Sequence, residues 1–167
     1  MSTLIVLGGL PASGKTTIAR LLARRLGASH LRIDTIEQAL LGTGEALEVT
    51  TAGYVIGYAV ARDCLLAGAT VIADSVNSIA ITRDMWRQTG LDAGGLVLEI
   101  EVVCSDQDEH RRRIANRQAD IEGHRQPNWR DVANRDYHPW PEAALTIDTA
   151  STSADLAVER VVALLDI

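Results

Sequence analysis

Short apolar runs alternate with segments of helical periodicity along most of this chain. The apolar runs predict five strands, at residues 4–7, 30–33, 70–73, 96–104 and 145–147. Between and after them, helices are predicted at residues 16–26, 36–41, 47–67, 79–89, 105–117 (a charged helix) and 154–165. The first strand is apolar without alternation, as expected for a strand buried on both faces of a parallel sheet. The order of elements predicts an α/β fold, with a parallel sheet and helices on both faces.

A glycine-rich turn joins the first predicted strand to the first predicted helix. From Gly9 to Thr16 it satisfies the phosphate-binding loop pattern G-x-x-x-x-G-K-[ST]. Glycines let backbone N–H groups turn toward a phosphate, and the following helix presents its free N–H groups to the same anion. Lys15 is expected to reach the β- and γ-phosphate oxygens, and the Thr16 hydroxyl is expected to ligate Mg²⁺. The predicted nucleotide contacts of this loop are Gly9, Ala12, Ser13, Gly14, Lys15, Thr16 and Thr17.

Two aspartates follow predicted strands, at the edge of the sheet where open α/β folds bind their ligands. Asp74 follows the third strand and is the candidate for holding Mg²⁺, directly or through water, together with Thr16. Asp34 follows the second strand, and we expect it to accept the proton of an attacking hydroxyl group. For both residues the alternative is a purely structural helix N-cap.

Two arginines of the charged helix are four residues apart and are expected to share one helical face. Arg113 and Arg117 would then reach a single site, where they neutralise a transferring phosphoryl group or stack on a nucleotide base. The alternative is a solvated helix with ion pairs, such as one between Glu109 and Arg113. The residues alone leave these two interpretations open.

The overall composition argues against several classes of protein. A chain of 167 residues is the size of one domain, and its net charge of −6 gives no global basic field for nucleic acid or an anionic membrane. The two cysteines lack metal-ligand spacing, which favours reduced thiols in a cytoplasmic protein. Neither a signal peptide nor a membrane-spanning segment is expected, because no suitable apolar stretch is present.

Several segments together resemble the small P-loop kinases of the AAA_33 type, a group related to polynucleotide kinase, chloramphenicol phosphotransferase, gluconate kinase and, more distantly, zeta toxins. The residues that carry the resemblance are the phosphate loop, Asp34, the Asp74-Ser75-Val76-Asn77 turn, Cys104-Ser105-Asp106, His110-Arg111-Arg112-Arg113, Arg117, Trp129, Tyr137-His138-Pro139-Trp140 and Ile147-Asp148-Thr149. The resemblance covers essentially the whole chain. It implies a nucleoside-kinase-like sheet of five parallel strands in the order 2-3-1-4-5.

The resemblance also implies roles for individual residues. Lys15 and Thr16 take the phosphate and Mg²⁺ roles, and Asp34 matches the general base. Arg113 and Arg117 match the arginines of the lid. Asp148 and Thr149 lie in the loop that holds adenine in this family. The match of Asp74 is looser, because the turn that follows it varies across the group.

We therefore expect a single P-loop kinase domain over residues 1–167, with a lid at about residues 105–140. The expected reaction transfers the γ-phosphoryl group of ATP, with Mg²⁺, to a hydroxyl group of a small molecule. The acceptor is expected between Asp34, Asn77 and the helix that carries Tyr54 and Tyr58. A 5′-hydroxyl polynucleotide acceptor is not favoured because the chain is acidic. A nucleotide-binding regulator without an acceptor is the alternative outside the kinases.

Overall fold

The computed structural model describes residues 1–44, 51–123 and 125–165, and its described part contains one sheet of five parallel strands. The strands are β1 (Thr3–Gly8), β2 (Ser29–Arg32), β3 (Val71–Asp74), β4 (Leu96–Val103) and β5 (Leu145–Asp148). Their order in the sheet is β2-β3-β1-β4-β5, with β1 at the centre. The predicted fold class and strand order are confirmed.

Seven described helices connect or follow the strands. They are α1 (Lys15–Leu26), α2 (Ile33–Gly42), α3 (Ala52–Leu66), α4 (Ala80–Asp92), α5 (Gln107–Asn116), α6 (Trp129–Ala133) and α7 (Ala154–Ala163). No helix in the described ranges is long and apolar enough to cross a bilayer.

Alternate residues of β1 supply the hydrophobic cores on the two faces of the sheet. Ile5 and Leu7 are fully buried in one cluster, which includes residues of α1 and α7. Leu4 and Val6 are fully buried in the other, which includes residues of α3 and α4 and the side chain of Trp86. A strand with a core on each side must be apolar at every position, which explains its unbroken hydrophobic run.

The structure differs from the predicted elements in two places that bear on the site. Helix α2 begins at Ile33, three residues earlier than expected, so Asp34 lies in its first helical turn rather than before it. A carboxylate there is favoured by the positive end of the helix dipole. The irregular segment after residue 120 contains the short helix α6, which a capping box at Asn128 and Asp131 stabilises. The predicted start of α3 at residue 47 lies outside the described residues.

A buried arginine fixes the segment that precedes β5. Arg83 is 2% exposed, and its guanidinium stacks on the rings of Tyr137 and Trp140. It donates hydrogen bonds to the carbonyl oxygens of Asn77, Ser78, His138 and Pro139. Arg83 therefore ties the turn after β3 to residues 138–139, and Trp140 is placed against Gly8 at the entrance of the phosphate loop.

Candidate active site

The phosphate loop follows β1 and wraps the N-terminus of α1. Gly9 and Gly14 have φ values of +154° and +101°. A side chain at Gly9 would begin 2.1 Å from the Val102 carbonyl oxygen, and one at Gly14 would begin 3.2 Å from the Thr149 methyl group. The positive φ favours glycine at both positions, and at Gly9 a Cβ atom would also overlap the Val102 carbonyl oxygen.

Helix α5 and the loop after β5 are both attached to the phosphate loop. The Nε2 atom of buried His110 donates to the Pro11 carbonyl oxygen at 2.8 Å. The Thr149 hydroxyl donates to the Ser13 carbonyl oxygen at 2.7 Å. These two contacts fix the position of the loop relative to the charged helix and to β5.

Lys15 is the first residue of α1 and its side chain is almost fully buried. Burial lowers the pKa of Lys15, and the charges of Arg117 and Arg32 act in the same direction, while Asp74 and Asp34 oppose them. The ammonium group therefore lies among two carboxylates and two guanidinium groups. A phosphate entering this site would meet three convergent cations.

The carboxylate of Asp74 lies between His30 and the phosphate loop. Its Oδ2 atom is 3.1 Å from the His30 Nε2 atom, and the Thr16 hydroxyl also donates to it. Burial alone raises the pKa of Asp74, but the His30 hydrogen bond, the Lys15 charge and the Thr16 hydroxyl hold it below its usual value. The structure thus brings together Thr16 and an ionised Asp74, the two predicted metal ligands.

A cavity of about 1000 Å³ opens beside Asp34, and we call it the larger cavity. Its wall combines polar side chains of the phosphate loop and α2 with side chains of α3 and α4, several of them apolar. Its lining includes Lys15, Asp34, Glu37, Tyr54, Met85 and Arg117. The volume suits a drug-sized molecule.

A cavity of about 610 Å³, the smaller cavity, lies against the phosphate loop and the N-terminus of α1. The predicted loop contacts that line it are Ala12, Gly14, Lys15, Thr16 and Thr17. Gly9 and Ser13 do not line it, since Gly9 packs on Val102 and Ser13 is 1% exposed. Lys15 and Arg117 line both cavities, so these two cations stand where the cavities meet.

The structure separates the two predicted lid arginines. Helix α5 ends at Asn116, and Arg117 follows it with extended backbone and reaches both cavities. Arg113 lines only the smaller cavity and is paired with Glu109, from which its Nε atom is 2.7 Å away. Arg113 therefore forms the ion pair expected for a solvated helix and also lines the smaller cavity.

The two residues predicted to hold adenine also differ in their environment. Thr149 lines the smaller cavity. Asp148 does not, and its carboxylate accepts hydrogen bonds from the backbone and hydroxyl of Ser105 and from the backbone of Ala150. These bonds hold the pKa of Asp148 below its usual value. Asp148 thus shapes the loop that presents Thr149.

Asn77, which the resemblance places beside the acceptor, does not line the larger cavity. It is fully buried with φ of +50°, and its Cβ atom would lie 3.0 Å from a side chain at Gly8. Its backbone N–H donates to the Tyr54 hydroxyl at 3.2 Å, and Tyr54 does line the cavity. Asn77 therefore supports the wall of the larger cavity indirectly, through its hydrogen bond to the Tyr54 hydroxyl.

Three residues that line the cavities, Arg32, Asp120 and Glu37, are not predicted as site residues from the sequence. Arg32 and Asp120 line the smaller cavity, and Glu37 lines the larger one. Glu37 is one helical turn after Asp34, a spacing that could have indicated a shared face. No signal pointed to Asp120, because its 88-residue separation from Arg32 is bridged only by the fold.

The family model for the AAA domain AAA_33 matches residues 4–133 of the chain. Among the curated proteins, none matches the sequence. The resemblance to the AAA_33 group is therefore confirmed over most of the chain, including both aspartates and the phosphate loop.

Solved structures share the fold over nearly the whole chain. A proposed kinase from Chloroflexus aurantiacus j-10-fl is 23% identical with a TM-score of 0.76, covering 99% of this chain and 96% of that one. The Mycobacterium tuberculosis APS kinase CysC in complex with AMPPNP and APS is 20% identical, with a TM-score of 0.67 and coverage of 99% and 98%. A gluconokinase from Sinorhizobium meliloti 1021 is 16% identical, with a TM-score of 0.64 and coverage of 98% and 95%. At these identities the similarity establishes the fold.

Proposed function

The chain belongs to the AAA domain family AAA_33, and from this premise we propose that it is a kinase that transfers the γ-phosphoryl group of ATP to a hydroxyl group of a small molecule. One observation carries the proposal. The larger and smaller cavities meet at Lys15 and Arg117, with Asp34 on one side and Thr16 on the other. Two substrates in the two cavities would therefore face each other across a pair of cations.

The chemistry follows from this arrangement. Asp34 accepts the proton of the acceptor hydroxyl as its oxygen attacks the γ-phosphorus. The bond between the γ-phosphorus and the bridging oxygen breaks, and ADP leaves with the electron pair. Lys15 and Arg117 neutralise the charge on the equatorial oxygens during transfer. Asp34 then loses its proton to solvent.

The donor set fits a magnesium ion. Mg²⁺ prefers oxygen ligands and is usually bound by one or two protein groups together with nucleotide phosphates. Thr16 and Asp74 offer one hydroxyl and one ionised carboxylate in mutual contact. Within the described residues no group of three or more His, Cys, Asp or Glu side chains could hold a metal without such help. When bound, the ion would neutralise charge on the β- and γ-phosphates.

We assign the smaller cavity to ATP, with Thr149 and Arg113 on its nucleoside side. The APS kinase of similar fold was solved with AMPPNP, which agrees with a nucleoside triphosphate here. The whole chain is taken as one domain, with its lid at about residues 105–140. Closure of that lid would exclude water from the transfer site.

A small-molecule acceptor fits the larger cavity better than a polynucleotide end. Val55, Ile81 and Met85 contribute apolar surface to its wall. A polynucleotide would require a basic channel along a phosphate backbone, whereas the chain has a net charge of −6. The APS kinase and the gluconokinase of the same fold are named for small molecules, which supports this class without identifying the acceptor.

The test is ATP turnover against sugars, antibiotics, nucleosides and short 5′-hydroxyl oligonucleotides. Asp34→Asn should abolish acceptor-stimulated turnover while ATP still binds, because it removes the base without changing the size of the side chain. Lys15→Ala should weaken ATP binding itself. Asp63→Asn, on the exposed face of α3, serves as the matched control and should behave as the natural protein.

The outcomes separate the alternatives. Stimulation by oligonucleotides alone would replace the small-molecule acceptor with a polynucleotide. Slow hydrolysis that no acceptor stimulates and that Asp34→Asn leaves unchanged would refute the kinase and favour a nucleotide-binding regulator.

A further inference from the structure

Arg32 occupies an unusual place for a charged side chain. It is the last residue of β2, and its side chain is only 6% exposed. Its Nε atom is buried without a hydrogen-bond partner. The guanidinium lies 3.7 Å from the carboxylate of Asp34 and is close enough to Lys15 to lower the pKa of that ammonium group. A buried cation is therefore held beside the proposed transfer site.

The main partner of Arg32 comes from the lid segment. Asp120 accepts two hydrogen bonds from Arg32, from Nη1 at 2.8 Å and from Nη2 at 3.2 Å. Arg20 of α1 donates to the same carboxylate. The Arg32 and Arg20 contacts hold the pKa of Asp120 well below its usual range, so the group is ionised at neutral pH.

The contact between Arg32 and Asp120 lies in the wall of the smaller cavity, which is rich in cations. Its charged lining residues are Lys15, Arg20, Arg32, Arg113, Arg117 and Asp120. Asp120 is thus the single carboxylate among five cations within the described lining. A triphosphate entering the cavity would compete with Asp120 for these cations and repel its charge.

The geometry of the Arg32–Asp120 contact would also suit a phosphate group in place of the carboxylate. A planar guanidinium binds a carboxylate and a phosphate through the same pair of parallel donors. Arg32 lines the smaller cavity and not the larger one, so its natural ligand is on the nucleotide side. Arg32 also lies beside Asp34, which lines the larger cavity. The part of a bound nucleotide nearest to Arg32 would therefore be the terminal phosphate.

We propose that Arg32 binds the γ-phosphate of the nucleotide, and that Asp120 holds its guanidinium until the phosphate replaces the carboxylate. This inference rests on the proposed assignment of the smaller cavity to ATP. It adds a phosphate-binding residue outside the phosphate loop and the lid arginines. It also makes release of Asp120, and hence movement of the segment after α5, part of nucleotide binding.

The test measures the affinities of AMPPNP and ADP, each with Mg²⁺, by titration calorimetry on the full chain. The variants are Arg32→Ala, Asp120→Ala and the double substitution. In the Asp120→Ala background, loss of Arg32 should weaken AMPPNP binding about tenfold or more, the value of a charge-assisted hydrogen bond. ADP binding should change much less. Asp120→Ala alone should leave AMPPNP affinity equal or higher, because a competitor is removed.

Controls keep the result interpretable. Arg25→Ala on the exposed side of α1 should leave both affinities unchanged. Arg32→Lys is a second variant should the alanine substitution unfold the chain, and in the Asp120→Ala background it should give an intermediate loss because it retains charge without the paired donors. Thermal melting by circular dichroism monitors folding.

Three results would overturn the proposal. They are no further loss from Arg32→Ala once Asp120 is removed, equal losses for AMPPNP and ADP, or a tenfold weakening of AMPPNP by Asp120→Ala alone. If the natural protein fails to bind AMPPNP, or Lys15→Ala has no effect, the proposed function fails instead. The Lys15 variant therefore separates the two failures.

Discussion

The guanidinium of Arg113 binds both oxygen atoms of Thr149, from Nη1 to the hydroxyl at 2.8 Å and from Nη2 to the carbonyl at 3.0 Å. The same hydroxyl donates to the Ser13 carbonyl oxygen in the phosphate loop. Glu109 accepts from the Nε atom of Arg113 and so fixes the guanidinium plane. A continuous chain of contacts therefore connects α5, the loop after β5 and the phosphate loop.

Arg113→Ala should weaken nucleotide binding about tenfold, because it breaks two charge-assisted hydrogen bonds that position Thr149. Arg112→Ala is the matched control, since Arg112 pairs with the same Glu109 but its side chain is 71% exposed. Its effect should stay within about twofold. Calorimetric titration with ATP and Mg²⁺ measures both. Equal effects of the two substitutions would show that charge alone, and not the contact with Thr149, matters.

The elements that could be predicted are those set by local pattern. The apolar run of β1 and the phosphate loop that follows it are decided within fourteen residues, and the same stretch predicts the roles of Lys15 and Thr16. The sequence predicts Arg113 as a site residue, but its contact with Thr149, 36 positions away, is set by the fold. A residue's type indicates what it can bind, while the tertiary fold decides what it contacts.

Glu37 should make the stability of the folded protein depend on pH. Burial, and then the charge of Asp34, raise the pKa of Glu37 from 4.5 to about 7, against the opposing charge of Arg135. The folded protein therefore holds the proton more tightly than the unfolded chain. Between about pH 4.5 and 7 this contribution to the free energy of unfolding falls, and above pH 7 it is lost.

Glu37→Gln should remove that loss, because the amide does not titrate. Urea denaturation at pH 5 and pH 8 should show a larger decrease in unfolding free energy for the natural protein than for the variant. Glu159→Gln, with a side chain 64% exposed on α7, controls for removing a negative charge. Parallel pH dependence of the natural protein and Glu37→Gln would contradict the prediction.

Gly8 packs closely against the Trp140 ring at the entrance of the phosphate loop. A methyl group at Gly8 would lie 2.4 Å from the Trp140 ring, so Gly8→Ala should destabilise the protein by about 1–3 kcal/mol. Gly42→Ala is the control, since its methyl group meets nothing within 4 Å. That variant should be unchanged or up to about 1 kcal/mol more stable. Urea unfolding measures both, and similar stabilities would mean that the ring moves freely.

The residues that could not be predicted are those whose roles arise from long-range packing. Arg83 resembles a solvent-facing helix residue in the sequence, yet it is buried because four carbonyl groups and two aromatic rings converge on it. Asp120 resembles part of a polar loop, and only the return of that loop to β2 brings it to Arg32. No local pattern encodes either arrangement.

Tyr54 connects the wall of the larger cavity to the turn after β3. Its hydroxyl accepts from the backbone N–H of buried Asn77 at 3.2 Å. Tyr54→Phe leaves that donor without a partner, which should cost about 1–3 kcal/mol of unfolding free energy.

Tyr58→Phe is its natural comparison, because Tyr58 donates to the Thr82 carbonyl oxygen at 3.2 Å on the same wall. That carbonyl lies within α4, where the helix backbone supplies a second partner. Loss of the Tyr58 hydroxyl should therefore lower the free energy of unfolding by less, about 0.5–1.5 kcal/mol. Urea denaturation compares the stabilities of the two variants. Acceptor-dependent ATP turnover shows whether the cavity wall takes part in acceptor recognition. A Tyr54 variant as stable as the Tyr58 variant would show that Asn77 finds another acceptor. If Tyr54→Phe lowers stability without changing turnover, the turn after β3 is a structural support and not part of acceptor recognition.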